Sequence, residues 1–287
     1  MRAARFVIDP LDPRAPSQDI WEQLTESERQ AVVDSLPSEV PRALPPEGDG
    51  HRIPKSRALE ALGEFYRRLR RRVYLSAELP VYYPDEPMFA PDLLAVVDVG
   101  MQERQSWVTQ HEGKGLDFVL EINVSGNRKK DFEDNVVRYA KLQIPEYFAF
   151  DVPRSRLVGW RLESERALTY EPIVPQGGRW PSRVLDLDLS LEGGQLRFYH
   201  GNAPLLDARE LIHRLSALVD EALQRAEEEA RRAEKESRRA EEESRRAEEE
   251  SRRAEEESRR AEEESRRAER LATRLRQLGI EPDEDMR

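Results

Sequence analysis

The sequence lacks cysteine, so it offers neither disulfide bonds nor thiolate ligands for a metal. No apolar run approaches the ~18 residues that a membrane-spanning helix needs, and the opening stretch MRAARFVIDPLDPRAPSQ contains no apolar core of a secretion signal. A glycine-rich phosphate loop is also absent, and the four histidines show no ligand spacing. We therefore expect a soluble cytoplasmic protein whose histidines are surface or core residues rather than zinc ligands.

Charge is abundant but unevenly distributed. Charged residues make up 37% of the chain, whereas about 25% is usual in globular domains. Residues 225–270 alone contain 15 basic and 18 acidic residues, which leaves 32 basic and 40 acidic residues elsewhere. Because the remainder is still acidic, broad sequence-independent binding to nucleic acid is not expected, although a local basic groove is compatible with these numbers.

Composition divides the chain into five predicted segments. They are a disordered N-terminus, a helical extension with a linker, a globular domain, a long charged helix and a short tail: residues 1–17, 18–49, 50–205, 206–279 and 280–287. In the extension, Thr25 and Glu28 form a capping box, which predicts the start of a helix. Five prolines and two glycines in residues 37–54 predict a loop.

The globular segment combines helical and strand patterns. Leu59, Leu62, Tyr66 and Leu69 recur at steps of three and four residues, which predicts a helix over residues 56–72 with one buried face. A second helix is predicted over residues 131–143, and strands are predicted over residues 73–83, 93–99, 118–124, 146–152, 156–162, 167–174 and 183–191. This order predicts a mixed α+β (α/β) fold.

The charged segment repeats SRRAEEE four times across residues 237–264. Glu241 precedes Arg245 by four residues, and Glu242 precedes Arg246 in the same way. Each such pair supports a helix by roughly 0.2–0.5 kcal/mol. Serine and alanine of the repeat alternate at steps of three and four residues, but they bury little area. Two interpretations stay open, namely a self-supporting single helix that acts as a spacer and a weak coiled coil that joins two copies of the chain.

One carboxylate interrupts an apolar run. Glu121 lies inside FVLEINV, and Asp92 begins the preceding apolar run in PDLLAVVDV. If the two strands are neighbours, both carboxylates can bind one hard cation such as Mg²⁺, which prefers oxygen ligands. Such a site supports metal-assisted hydrolysis of phosphodiester bonds. Alternatively, Asp92 caps a turn and Glu121 pairs with an arginine of residues 67–72.

These residues belong to a longer ordered pattern. The pattern consists of Pro91-Asp92, Glu121-Ile122, Ser125, Arg128, Asp131, Tyr139 and QIPEYFAFD at residues 143–151. It resembles the Uma-two family of bacterial restriction-endonuclease-like proteins, which belong to the PD-(D/E)XK nuclease superfamily, over roughly residues 55–200. The resemblance implies a restriction-endonuclease-like core, with a mixed central sheet flanked by helices.

The resemblance also implies a ligand set. Asp92, Glu121 and the backbone carbonyl of Ile122 would bind Mg²⁺ or Mn²⁺. The superfamily uses a lysine to orient or activate the attacking water, but Asn123 and Asn135 stand at the two positions where this lysine is expected. Asparagine can hydrogen-bond a water molecule but supplies no positive charge.

Basic residues follow the strand that carries Glu121. Lys129 and Lys130 could reach back to the carboxylates, or they could contact phosphate together with Arg128. Five arginines in residues 67–72 either line a DNA-facing groove or cover the polar face of a helix. Glu146 is expected to have a structural role beside the site, with metal binding as the alternative.

Two functions are compatible with these features. The first is a Mg²⁺-dependent endonuclease that acts on DNA. The second is a catalytically impaired nuclease fold that serves as a binding or scaffold module, with the charged helix as a spacer or as the arm of a homodimer. A lysine ammonium close to the paired carboxylates would favour the first.

Overall fold

The computed structural model describes residues 6, 8–39, 48–125 and 128–277. The predicted tail, the last two residues of the predicted charged helix, the first residues of the N-terminus and much of the predicted loop lie outside the described residues. Contacts divide the chain into two compact units, Met1–His213 and Arg214–Arg287. Among the described residues, no helix combines the length and the apolar character that crossing a membrane requires.

Helices occur at both ends of the chain and between the strands. They are α1 (Gln18–Gln23), α2 (Glu26–Ser35), α3 (Asp49–Leu69), α4 (Thr109–Glu112), a π-turn (Lys130–Asp134), α5 (Asn135–Lys141) and α6 (Ala208–Gln277). The strands are β1 (Val73–Ser76), β2 (Val81–Tyr82), β3 (Leu93–Val97), β4 (Trp107–Val108), β5 (Phe118–Asn123), β6 (Glu146–Asp151), β7 (Arg156–Arg161), β8 (Glu171–Pro172), β9 (Arg179–Ser182), β10 (Leu187–Glu192), β11 (Gln195–His200) and β12 (Ala203–Pro204). The predicted mixed α+β fold is confirmed.

The central sheet has six strands in the order β1-β3-β5-β6-β7-β8. Its only parallel pair among the described strands is β5 with β6, which the π-turn and α5 connect. A crossover helix is the usual way to join parallel neighbours. A second sheet, with the order β12-β11-β10-β9, is antiparallel throughout. The central sheet is therefore mixed, as the family resemblance implies.

Side chains of the central sheet alternate between two apolar clusters. Leu120 and Ile122 pack in one cluster with Leu62 of α3, whereas Val119 packs in the other with Tyr139 of α5. Because successive strand residues point to opposite faces, Glu121 shares the α5 face with Val119. The apolar run is therefore buried on both faces, and its single acid points into the cluster beneath α5.

Helix α3 begins earlier than the sequence suggests. Residues 49–54 were expected to be loop, but Asp49 opens the helix, with Gly48 at the N-cap and Pro54 inside. A proline interrupts one backbone bond of a helix, yet Ala58, Ala61 and Leu62 bury the same face of α3 farther along. The buried face outweighs the local cost of the proline, and the first turn of the helix lies next to Asp92.

The described part of the N-terminal extension contains two short helices, α1 and α2. The predicted capping box is confirmed, because Thr25 Oγ1 accepts from the Glu28 N–H and the Glu28 side chain accepts from the Thr25 N–H. Ala15 lies in the segment predicted to be disordered, but it is buried and bridges to Pro84. The described residues at this point of the segment are thus packed.

Helix α6 has 70 residues, about 105 Å at the rise of an α-helix. Glutamate–arginine pairs four residues apart occur along it, as the repeat predicts; the ion pairs are Glu221–Arg225, Glu234–Arg238 and Glu262–Arg266. Its side chains are exposed almost throughout, and none is buried. Because such exposed pairs contribute little each, the uninterrupted repetition of the pattern supports the helix.

Candidate active site

Asp92 and Glu121 lie side by side. Leu93 pairs with Leu120 across antiparallel β3 and β5, which brings the preceding residue, Asp92, opposite Glu121. The Asp92 N–H is 3.4 Å from Glu121 Oε2. The Ile122 N–H donates to Asp92 Oδ2 at 2.6 Å. The two carboxylates predicted from the sequence are therefore brought together by strand pairing.

Glu121 is buried, with 5% of its surface exposed. The Tyr139 hydroxyl donates to Glu121 Oε1 at 2.7 Å. Burial, and next the negative charge of Asp92, raise the pKa of Glu121 to about 8, while the positive charge of Lys130 lowers it. The alternative that Glu121 pairs with an arginine of residues 67–72 is wrong, because its partners are Tyr139 and the Asp92 backbone.

Asp131 forms a second buried acid beneath the same face. Asn123 Nδ2 donates to Asp131 Oδ2 at 2.8 Å, and Asn135 Nδ2 lies 3.5 Å from Oδ1. The Tyr147 hydroxyl donates to the Asp131 carbonyl at 2.6 Å. Burial raises the pKa of Asp131, against the hydrogen bond from Asn123 and the charge of Lys130. Both asparagines at the expected lysine positions therefore hold Asp131.

The lysine next to this acid belongs to the π-turn. Lys130 Nζ lies 4.0 Å from Asp131 Oδ1, and its charge also reaches Glu121. π-turns occur often at functional sites. Lys129 is exposed, and no contact between it and the paired carboxylates is found in the part of the chain that the structure describes. Of the two lysines singled out from the sequence, Lys130 is the one with an ion pair to an acid of this face, Asp131.

A histidine approaches Asp92 from the first turn of α3. His51 Nε2 lies 3.0 Å from Asp92 Oδ1. The sequence predicts that His51 is a surface or core residue, because the proline and glycine residues around it give no sign that a helix begins at Asp49. No spacing signal links residues 51 and 92, since α3 and β3 meet only in the folded chain.

The donors suit a divalent cation. Two carboxylates, Asp92 and Glu121, converge where the sheet is apolar. Burial and the charges of Asp92 and Asp131 make an ionised Glu121 costly when no cation neutralises it. Oxygen ligands of this type match Mg²⁺ or Mn²⁺. The carbonyl of Ile122 belongs to the residue whose N–H contacts Asp92, and its binding to metal stays a prediction.

Comparison with known proteins identifies the family. The model of the Uma2 family, described as "Putative restriction endonuclease", matches residues 21–192. The chain belongs to the Uma2 family. The predicted family is thereby confirmed, and Uma2 is a nuclease family by this description.

The chain is also similar to a solved structure. A structure of a putative nuclease belonging to DUF820 from Anabaena variabilis is 13% identical, with a TM-score of 0.41, over 61% of this chain and 95% of that chain. No curated protein matches the chain.

Several arginines of residues 67–72, and also Arg128, have partners within the fold. Arg67 and Arg68 both pair with Glu64, and Arg71 donates to the Val184 carbonyl. These contacts favour the interpretation that the arginine run covers a helix over the one in which it lines a groove. Arg128 forms an ion pair of 2.9 Å with buried Asp151.

Glu146 is bound by the second sheet. Its carboxylate accepts from the Ser182 hydroxyl and from the N–H of Arg183. Burial raises the pKa of Glu146, and these hydrogen bonds oppose the shift. The contacts favour the structural role, in which Glu146 connects β6 to the end of β9.

Proposed function

We propose that this Uma2 protein is a metal-dependent endonuclease that hydrolyses phosphodiester bonds of DNA with Mg²⁺ or Mn²⁺. One observation carries the proposal: two carboxylates converge on adjacent strands with the Lys130 charge beside them. Glu121 is buried beside Asp92, and a buried acid next to a second acid is costly unless a cation or protons neutralise it. A divalent ion bound by a nuclease would neutralise the two acids.

Each side chain has a distinct proposed role. Asp92, Glu121 and the carbonyl of Ile122 would hold the ion, which when bound activates water and stabilises charge on the phosphate. Tyr139 orients Glu121 by binding one of its two oxygens. Lys130 would neutralise charge on the phosphate group, because its ammonium lies 4.0 Å from Asp131 Oδ1 and its charge reaches Glu121.

Contact with DNA is proposed for the basic residues at the start of the helix that follows β5. Arg128, Lys129 and Lys130 are consecutive, and Arg156 joins them because Arg128 and Arg156 both lie over the ring of Phe132. Phosphate contacts from arginine and lysine position a protein on DNA without reading its sequence. The acidic remainder of the chain confines this contact to a small surface.

Cleavage of supercoiled plasmid tests the function. We expect nicking that requires Mg²⁺ or Mn²⁺, is abolished by EDTA and is lost in Asp92→Asn and Glu121→Gln. Asp98→Asn is the matched control, because Asp98 is an exposed acid at the far end of β3 with a positive φ that asparagine tolerates. Nicking that persists in both site variants would refute the proposal.

A second function is favoured by the asparagines. Asn123 and Asn135 fill both expected lysine positions and bind Asp131. If folded wild-type protein binds DNA but never nicks it, the chain is an impaired nuclease fold that works as a binding or scaffold module.

A second copy of the chain is the proposed partner of α6. One heptad position reads Val219, Ala226 and then alanine at every seventh residue to Ala268, followed by Leu275. Val219, Leu223 and Leu271 are each about half exposed. The apolar ends and small residues between them form a continuous stripe, which is the pattern of a weak coiled coil.

The domain division stays a proposal. We propose a nuclease domain over residues 50–205, preceded by the helical extension of residues 18–49 and followed by the charged helix of residues 206–279. Cytoplasmic location is proposed from the cysteine-free composition alone.

A further inference from the structure

Three donor side chains meet at the edge of the candidate site. They are His51 on the first turn of α3, Glu78 in the loop after β1, and Asp92 immediately before β3. One ligand atom of each lies within 4.8 Å of the others. The three residues come from three separate elements, so only the fold brings them together.

We propose that His51, Glu78 and Asp92 form a site for a first-row transition-metal ion that shares Asp92 with the proposed Mg²⁺ site. The distance from His51 Nε2 to Asp92 Oδ1 is 3.0 Å. Two ligand atoms that each lie about 2.1 Å from an ion, at a right angle, are about 3 Å apart. These two atoms already have the separation that neighbouring ligands need.

The backbone holds the donors in place. The Glu78 N–H donates to the Pro91 carbonyl at 2.9 Å, which ties Glu78 to the residue before Asp92. On the other side, a Cβ at Gly50 would lie 3.2 Å from the Val124 side chain. Glycine therefore lets the first turn of α3 approach the end of β5, and His51 follows it. The site is positioned by the chain before any ion binds.

The donor chemistry selects the ion. Imidazole nitrogen suits Co²⁺, Ni²⁺ and Zn²⁺, whereas carboxylate and water oxygens suit Mg²⁺ and Mn²⁺. Adding His51 to two carboxylates therefore favours the later first-row ions, whose affinities for nitrogen donors rise along the series. Asp92 has two oxygens, of which Oδ1 faces His51 and Oδ2 accepts from Ile122. It can therefore serve the transition-metal site without leaving β5.

One ion pair competes for Glu78. Lys55, one helical turn after His51, contacts Glu78 Oε1. A carboxylate has two oxygens and about four acceptor sites, so Glu78 can bind an ion and keep this lysine. About half of the Glu78 side chain is exposed, which gives it room to turn. The competition lowers the affinity without blocking the site.

The inference rests on the proposed function for what the ion does, but its binding is measured separately. Full-length protein is titrated with Co²⁺ and with Mg²⁺ by calorimetry, and Co²⁺ is followed by its visible ligand-field absorption. We expect tighter binding of Co²⁺ than of Mg²⁺. His51→Gln should weaken Co²⁺ binding at least about tenfold, change the Co²⁺ absorption spectrum and weaken Co²⁺ binding by a larger factor than Mg²⁺ binding.

Two further variants keep the test decisive. Glu78→Gln, at a half-exposed position, should also weaken Co²⁺ binding, whereas His111→Gln, at an exposed position of α4, should not. Circular dichroism confirms that each variant is folded. Wild-type protein that binds no Co²⁺, or His51→Gln and Glu78→Gln variants that bind it as wild type does, would overturn the inference.

Failure of the inference and failure of the proposed function give different results. If Mg²⁺ supports nicking and His51→Gln binds Co²⁺ normally, only the transition-metal site is refuted. If Co²⁺ binding depends on His51 but no divalent ion supports nicking, the site stands and the nuclease activity fails.

Discussion

The Tyr139 hydroxyl donates a 2.7 Å hydrogen bond to Glu121 Oε1. Tyr139 is 1% exposed, so this bond is made inside the apolar cluster beneath α5. It occupies one oxygen of Glu121 and leaves Oε2 beside the backbone of Asp92. Tyr139 packs in the apolar core and therefore also sets the orientation of the acid.

Tyr139→Phe tests this orientation. Loss of the hydroxyl should lower the free energy of unfolding by about 1–2 kcal/mol and weaken Mg²⁺ binding. Tyr170→Phe is the control, because Tyr170 donates to the Ile144 carbonyl at 2.7 Å away from the acids. It should show a similar loss of stability in denaturant titrations with unchanged Mg²⁺ affinity. Equal Mg²⁺ affinities in wild type and Tyr139→Phe would contradict the positioning role.

Glu121 makes stability depend on pH when no metal is bound. Its pKa is raised from 4.5 to about 8, so between these values the folded state keeps a proton that the unfolded state has lost. In that window, stability falls as pH rises, by up to about 1.4 kcal/mol per unit. Glu121→Gln resembles the protonated acid and should remove this fall.

Urea unfolding in EDTA at several pH values measures the effect. The free energy of unfolding of Glu121→Gln, relative to that of wild type, should rise toward pH 8, and the two values should match near pH 5. Parallel pH curves for the two proteins would show that Glu121 is ionised in the folded state throughout.

Lys130 and Lys129 should differ in their effect on cleavage. Lys130 lies near the acids, so Lys130→Ala should slow plasmid nicking about a hundredfold, as loss of one charge-stabilising group does elsewhere. Lys129→Ala, one residue away, should weaken DNA binding and make it less sensitive to salt. Equal loss of single-turnover rate in both variants would assign both lysines to DNA contact.

Restoring a lysine tests whether its absence limits the chemistry. Asn135 is 3% exposed and lies 3.5 Å from Asp131 Oδ1, so a lysine there has a buried acid as its partner. Asn135→Lys should raise the nicking rate about tenfold or more. Asn202→Lys, on an exposed turn, adds the same charge elsewhere. If the Asn135→Lys variant is folded but its nicking rate does not exceed that of wild type, Lys130 already supplies the charge that the reaction needs.

The α6 stripe should join two copies in a salt-dependent way. Glutamates flank the stripe on both sides, for example Glu248 and Glu250 around Ser251 and Ala247. Like charges at these positions oppose pairing, and salt screens them. Light scattering of the full chain should therefore show more dimer at high salt. Val219→Asp should abolish it, and Gln224→Asp, on the opposite side of the helix, should not.

The sequence predicts the acid pair because its signal is local. Pro91-Asp92 before one apolar run and Glu121 within another place both acids on strands, and the register of β3 with β5 does the rest. The mixed fold follows from the same runs, which are long and strongly apolar. Thr25 and Glu28 are likewise predictable, since a capping box involves only neighbours in the chain.

The rest of the site depends on contacts between distant segments. His51 was missed because glycine and proline around it predict a loop, whereas burial of α3 farther along extends the helix to Asp49. Asn123 and Asn135 were identified as replacements, but their shared partner Asp131 emerges only when β5 and α5 pack. Hydrogen bonds of this kind leave no periodic pattern in a sequence.

The π-turn between β5 and α5 sets the rotation of Lys130 about the helix axis relative to Tyr139. The Asn135 N–H bonds to the Lys130 carbonyl, five residues back, so this turn holds one residue more than an α-turn. Deleting one residue within it would rotate the basic start of the helix by about 100° relative to Tyr139. The number of residues in this single turn, rather than the identity of a side chain, therefore decides whether Lys130 and Tyr139 both face the acids of the candidate site.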